Sequence, residues 1–321
     1  MNGSDSSMPR SADGSSTAPA TFIVGHPRSG TNLLRALLDH HPHLLVIPFE
    51  THLFDWARSG DPVTAVLDRT YLWTTIHRHR PAMSREEVEE VLERAFNRAR
   101  GPRARLLALV EGWRELTRSS QKVRWVEKTP RHLYECDLLL RWFPADARIL
   151  VMRRDPRDVI ASALKQKPSR TIFQMALTGR LAHQVVTEHE QDPRFLVVSY
   201  ERLVEDPIRV MRGVCQFLDI PYDPVVATPT VSGVEYFGNS RFDSALYGVS
   251  EAAVGRYHDV LSGSQLEKIE ALLAQVLCAG GYAPTLRVPK SSHPVARAAI
   301  AMIIRSQLWR LRALRATFRK A

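Results

Sequence analysis

Cysteine is scarce. The three present, Cys136, Cys215 and Cys278, lie far apart and form no Cys-x-x-Cys or Cys/His cluster. An odd, scattered set excludes a disulfide framework and a zinc site of the usual spacing, so all three are expected to be reduced residues of core or helix. No run of about 18 apolar residues occurs, which leaves no segment that crosses a bilayer as a helix. Residues 1–20, MNGSDSSMPRSADGSSTAPA, have no apolar stretch of the kind a secretory signal needs. They are expected to form a disordered leader, with the cytoplasm as the default location. The other end lacks acid. From Arg287 to Ala321 there are nine Lys or Arg and no Asp or Glu, so a chain of net charge +10 is near neutral over residues 1–286. The basic excess belongs to the tail, which argues against a nucleic-acid-binding surface on the body.

What is present is ordinary for a soluble globular chain: 321 residues, 44% hydrophobic and 24% charged. Short apolar runs at Thr21–Val24, Leu44–Ile47, Val123–Val126, Arg148–Met152 and Phe195–Val198 read as strands. Between them, helical periodicity is expected over Asn32–His41, Arg131–Trp142, Asp155–Leu164 and Phe173–Glu190, and beyond them over Pro207–Leu218 and Gln265–Cys278. Residues 51–120 are expected to be mostly helical, with Ser84 and Glu87 at capping-box spacing. Pro221–Val249 reads as loop. Strands alternating with helices predict an α/β fold, a P-loop-like central parallel sheet with helices on both faces. The folded domain is expected over residues 21–286.

The first strand runs into Gly25-His26-Pro27-Arg28-Ser29-Gly30-Thr31 and then a helix. A concave loop before a helix N-terminus gathers backbone N–H groups into an anion site. Gly25 and Gly30 let the backbone approach a ligand. Arg28 adds a fixed charge, and Ser29, Thr31 and Asn32 add polar groups. The spacing matches a Walker-type loop, but Thr31 stands where that loop has Lys. Taken alone, a capped structural turn explains the loop nearly as well.

A second strand ends in Arg153-Arg154, and the helix after it carries Ser162. Arg154 leaves the strand at its carboxyl end, where open α/β sheets bind ligands, and an Arg with a Ser hydroxyl suits a terminal phosphate. The bland alternative is a solvated charge cluster, with Arg153 and Arg157 pairing with Asp155 and Asp158.

Together, Pro-Arg-Ser-Gly-Thr after strand one and Arg-Asp-x-Arg-x-x-x-x-Ser at a strand-to-helix junction resemble the sulfotransferases that use 3′-phosphoadenosine-5′-phosphosulfate (PAPS). Glu127-Lys128-Thr129-Pro130-Arg131-His132 is similar to a Lys-bearing strand end in bacterial and Golgi-type members. Ser199–Pro207 resembles the Tyr-Glu-x-Leu segment, and Val254-Gly255-Arg256-Tyr257 a late basic-aromatic stretch. The resemblance covers residues 21–284. Arg28 departs from the Lys of cytosolic members, which puts the chain nearer the tyrosylprotein-sulfotransferase-like and bacterial groups; Asn32 replaces a common Thr.

The resemblance implies PAPS as co-substrate, with no metal, and sulfuryl transfer to an acceptor hydroxyl on a carbohydrate, glycolipid or small molecule. Arg28 and Lys128 are then expected to stabilise the transition state, with Arg28, Ser29, Gly30, Thr31 and Asn32 around the 5′-phosphosulfate. Arg154 and Ser162 are expected at the 3′-phosphate, Tyr200 near the nucleotide, and Arg256 near either phosphate. Glu50 is the expected general base, with His52 as the alternative. Lys128 as the partner of Glu127 in a surface salt bridge, and Tyr200 as a buried aromatic, are the plain structural readings. Residues 51–120 and 221–249 are expected to shape the acceptor pocket.

The tail interleaves Ile300, Met302, Ile303, Ile304, Leu308, Trp309 and Leu311 with Arg297, Arg305, Arg310 and Arg312. A basic amphipathic helix over 295–318 suits peripheral contact with anionic lipid; packing on the body or on a second subunit, as in a homo-oligomer, is the alternative. Two rival functions remain: a P-loop small-molecule kinase, and a non-catalytic nucleotide-binding module.

Overall fold

The computed structural model describes residues 19–52, 83–97, 99–144, 147–236 and 248–285, with positions 54, 73, 77, 238, 298, 302, 303 and 306 besides. Residues 1–18 lie outside the described residues, while Ala20, expected in the disordered leader, already belongs to the first strand; of the amphipathic helix expected over 295–318 only positions 298, 302, 303 and 306 are described, each of them helical.

Five strands form one sheet: β1 (Ala20–Gly25), β2 (Leu44–Val46), β3 (Arg124–Lys128), β4 (Arg148–Arg153) and β5 (Phe195–Ser199). Every neighbouring pair is parallel, in the order β2-β3-β1-β4-β5. The register sets Ile23 beside both Lys128 and Leu150, so β1 is the hub. Alternation along β1 sends Phe22 and Val24 into one core, with Trp125 of β3, and Ile23 into the other, with Val126 and Leu150. Both faces are therefore buried, as a parallel sheet requires.

The helix α1 (Thr31–Leu38) follows β1, while α2 (Arg85–Phe96) and α3 (Gly101–Leu116) precede β3. A 3₁₀ helix (Pro130–Glu135) and α4 (Cys136–Trp142) lead to β4; α5 (Pro156–Gln166) and α6 (Ile172–His189) lead to β5. Then come α7 (Tyr200–Glu205), α8 (Pro207–Phe217), α9 (Tyr257–Val260) and α10 (Gly263–Gly280). The helices α1, α7 and α8 cover one face; α2 to α6 and α10 cover the other.

The helix starts are chemically explicit. Ser84 accepts from the Glu87 amide at 3.1 Å, and Asp155 from the Arg157 amide at 2.8 Å ahead of Pro156. Thr171 and Ser262 form capping boxes with Gln174 and Gln265.

Two expectations change. The stretch Arg131–Trp142 is not one α-helix: its first turns are 3₁₀, opened by Pro130, and only Cys136–Trp142 is α-helical. Pro221–Val249 is not all loop. It holds a 3₁₀ turn (Pro224–Ala227) and a ribbon of β6 (Thr230–Val231) and β7 (Val234–Glu235). Two-residue strands leave no readable period. The ribbon is pinned by Asp39, whose Oδ2 accepts from Thr230 Oγ1 at 2.8 Å and the Gly233 amide at 3.0 Å.

Cys136 and Cys215 are buried and Cys278 is exposed, all three as free thiols. Arg157 is buried and pairs with Asp155 and Glu270, each at 2.7 Å, and donates to the Ala283 carbonyl at 2.9 Å. The cluster around it is thus a buried clasp fastening residues 283–285 to α5, not a solvated surface pair.

Phe22 is fully buried on the hub strand and meets Trp125 edge-on at 5.2 Å. Phe22→Ala is expected to cost about 3–5 kcal/mol, and Phe22→Leu clearly less, as measured by denaturant unfolding.

Candidate functional site

All five strands deliver residues to one edge. The phosphate-type loop follows β1, Glu50 lies just past β2, Lys128 ends β3, Arg154 follows β4 and Tyr200 follows β5. Between them lies a cavity of about 400 Å³ whose wall includes Arg28, Gly30, Thr31, Asn32, Glu50, Arg154, Ser162 and Tyr200. A volume of this order suits a small-molecule ligand. The carboxyl edge is where the geometry of a parallel sheet places such a site.

The loop after β1 is wound tightly. Arg28 has φ 79° and Gly30 φ 103°. Arg28 thus holds a left-handed backbone that L-residues seldom adopt, a strain of the kind found at ligand clamps. At Gly30 a side chain would clash: a Cβ would stand 2.4 Å from the Tyr200 ring, which would have to move. No side chain caps α1 and no acid sits in its first turn, so its leading amides remain available to an anion. Ser29 is buried, its Oγ has no partner among the described residues, and it faces a second cavity, not the charged one.

Arg154 lies across the Tyr200 ring, 4.4 Å from its centroid. Its Nη1 donates to the Arg28 carbonyl at 3.3 Å and its Nη2 to the Ala253 carbonyl, with Asp158 at 3.7 Å. Its Nε is buried and has no partner among the described residues. Ser162 Oγ accepts from Arg28 Nε at 3.1 Å. The two segments expected to bind anions therefore touch: Arg28 reaches the serine expected to serve the other phosphate. Burial pushes the Asp158 carboxyl up, while Arg154 and the amides of Gly255 and Tyr257 pull it down. Those amides, each 2.9 Å away, hold the late stretch against α5. Ser250 and Ala253, just before that stretch, line the cavity; Arg256 is not among the lining residues.

Glu50 and Lys128 form an ion pair, and His52 Nε2 is 3.3 Å from the other Glu50 oxygen. The carboxylate lines the cavity; His52 does not. Lys128 is buried, and its pairing with Glu127 in a surface salt bridge is overturned. Glu127 faces the opposite side of β3, fully buried, with Thr51 and Thr129 as partners. Alternation along a strand sends adjacent side chains to opposite faces. Burial lowers the Lys128 amine to about 8, with Glu50 raising it and Arg35 lowering it further.

Arg35 was not anticipated. It is a buried cation on α1 that donates to the Pro48 carbonyl, two residues before Glu50. The only signal was a lone charge in an otherwise apolar helix. Pro130, Arg131, Gln166, Arg170 and Tyr236 complete the wall. Tyr236, Gly238 and Gly248 do come from the stretch 221–249 expected to shape an acceptor pocket, whereas 53–82 lies mostly outside the described residues. Burial pushes the Tyr236 hydroxyl up to about 12, opposed by Arg35. The second cavity, about 300 Å³, is walled mainly by apolar residues of β4, α6 and α10, such as Val151, Met175 and Leu273.

A family model described as "Sulfotransferase family" matches residues 19–224. The chain is 28% identical over 231 residues to Protein-tyrosine sulfotransferase A of Caenorhabditis elegans, covering 68% of this chain and 54% of that protein. It is 26% identical over 295 residues to Protein-tyrosine sulfotransferase 1 of Danio rerio, covering 86% and 76%. Thus it spans about half the length of the worm relative. Among solved structures, the sulfotransferase domain from the curacin biosynthetic pathway superposes with a TM-score of 0.58 at 17% identity, covering 84% of this chain and 99% of that one. The corresponding domain of the Synechococcus PCC 7002 olefin synthase gives 0.58 at 19% identity, covering 83% and 95%. At such identities the likeness is one of fold.

Because Glu50 raises the Lys128 amine, Glu50→Gln is expected to drop its titration below that of the wild type, near 8. NMR of ¹³C-methylated lysines reads this directly. The sign for stability follows. The folded amine loses its proton as pH rises through about 8, whereas the unfolded chain keeps it up to 10.5. Across that window the Lys128 contribution to stability therefore grows with pH.

Proposed function

Because this chain belongs to the sulfotransferase family, we propose that it transfers a sulfuryl group from PAPS to an acceptor hydroxyl. The observation that carries the reading is the Arg154 site: a guanidinium stacked on Tyr200, in the cavity wall that also holds Ser162, with a buried Nε–H that has no partner among the described residues. A buried unpaired donor costs free energy, and an added 3′-phosphate would satisfy it. The uncapped amides of α1 and the strained loop offer a second anion site in the same cavity. The fit is to a nucleotide with phosphate at both ends, which is what separates PAPS from ATP; Thr31 in place of a loop lysine points the same way.

In this reading Arg28 and Lys128 balance the negative charge that builds on the bridging and peripheral oxygens. Glu50 accepts the proton of the acceptor hydroxyl as the new oxygen–sulfur bond forms and the bond from sulfur to the 5′-phosphate oxygen breaks. The products are the sulfate ester and 3′-phosphoadenosine-5′-phosphate. His52, on the far oxygen of Glu50, orients the carboxylate. The relatives named for protein tyrosine make a phenolic hydroxyl the first acceptor to try, ahead of carbohydrate and glycolipid hydroxyls.

Calorimetric titration with 3′-phosphoadenosine-5′-phosphate, with ADP as comparison, tests the reading. Charge-assisted hydrogen bonds contribute about 1.5–3 kcal/mol each, so two of them at the 3′-phosphate put ADP weaker by at least about 100-fold. Arg154→Ala is expected to abolish the difference. Equal binding of the two nucleotides would remove the reading. Glu50→Gln is expected to lower turnover by on the order of 100-fold or more while leaving the nucleotide affinity intact; loss of both together would count against Glu50 as the base.

A further inference from the structure

Glu127 has no place in the reaction above, yet it is fully buried and its carboxylate takes four polar contacts. Its Oε1 accepts from Thr51 Oγ1 at 2.8 Å, from Thr129 Oγ1 at 2.5 Å and from the Thr51 amide at 3.3 Å. Its Oε2 meets His132 Nδ1 at 3.1 Å. Thr129 Oγ1 in turn accepts from the amides of Thr51, at 3.0 Å, and His52, at 3.4 Å. Thr51 follows Glu50 and Thr129 follows Lys128, so one carboxylate ties together the two backbone segments that present the ion pair.

The tie stands where the sheet stops. The β2–β3 ladder ends with Val46 opposite Val126 and a last bond from the Ile47 amide to the Val126 carbonyl at 2.9 Å. Beyond it the two chains are joined through side chains. The backbone there is also strained, with His52 at φ 47°, and such conformations persist only where the surroundings fix them. His132 is itself fixed, edge-on to Phe54 at 5.0 Å. Burial opposes the charge on Glu127, but His132 and the bonds from Thr129 and Thr51 outweigh it and hold the carboxyl below its usual range.

We propose that Glu127, with Thr51, Thr129 and His132, is a positioning cluster that sets the Glu50–Lys128 pair at the reacting centre. It rests on the sulfotransferase reading of that pair. Glu127 touches neither nucleotide nor acceptor; it acts through the two threonines. Removing the charge of Glu127 or the hydroxyl of Thr129 should loosen the pair by a fraction of an ångström to an ångström, enough to slow transfer without emptying the nucleotide site.

The test uses the full chain and ³⁵S-labelled PAPS, with water as the acceptor. Glu50 takes the proton of water, the sulfur–oxygen bond to the nucleotide breaks, and inorganic sulfate is counted. Glu127→Gln and Thr129→Val are expected to release sulfate about 10- to 100-fold more slowly at saturating donor, with affinity for 3′-phosphoadenosine-5′-phosphate unchanged. Thr129→Ser should recover most of what Thr129→Val loses. A second readout needs no turnover: acylation of Lys128 by an amine-selective reagent, followed by peptide mass spectrometry, should speed up in both slow variants. Wild-type rates and wild-type labelling in Glu127→Gln and Thr129→Val would overturn the proposal, as would nucleotide affinity falling in step with rate, the mark of a cluster that merely holds the fold. A wild-type protein that fails to bind the nucleotide would instead sink the sulfotransferase reading, and this proposal with it; the binding arm tells the two failures apart.

Discussion

Cations gathered at one sheet edge repel one another, and much of the surrounding structure answers that repulsion. Arg28, Arg35, Lys128 and Arg154 converge on the carboxyl ends of β1, β3 and β4. Removing such charges from water costs several kcal/mol each unless they are paired and hydrogen-bonded. Each has a local partner. Arg35 takes the Pro48 carbonyl, Lys128 takes Glu50, Arg154 takes two carbonyls and the face of Tyr200, and Arg28 takes Ser162. The Lys128 amine shows that the compensation is incomplete, since burial still pulls it down to about 8. A site whose cations are held mostly by carbonyls and neutral groups is ready to exchange those partners for an anion.

The parallel sheet makes this convergence possible. Parallel strands end together, so five connections leave from one edge, and each contributes a different group. Helices on both faces keep the edge rigid. The cost appears as local strain, at Arg28 in the loop and at His52 after Glu50, and in a glycine beneath Tyr200, where a side chain would clash with the ring. Two layers of support answer it. Asp158 pins the late stretch that supplies the Ala253 carbonyl to Arg154, and Asp39 pins the β6–β7 ribbon. The Glu127 cluster does the same work between β2 and β3, past the last rung of the ladder.

The sequence carried the fold because its signals are local. Apolar runs alternate with capped helices, and Gly25 to Thr31 and Arg154 to Ser162 sit at strand-to-helix junctions, where local chemistry already suggests anion binding. It also carried the types of the groups proposed to react, Glu50 and Lys128 among them, since Lys128 ends β3 and Glu50 lies just past β2. The tertiary structure alone decided who meets whom. Lys128 turned from its sequence neighbour Glu127 to Glu50, because adjacent strand residues face opposite sides and β2 lies beside β3. Arg28 met Ser162, 134 residues away. Tyr236 joined the cavity wall, and Arg35 and Glu127 came to support the segments around the Glu50–Lys128 pair, through contacts across strands and helices that no period or spacing records. Pairing at a distance depends on strand order and register, and those are fixed by packing of the whole sheet, not by any one segment of the chain.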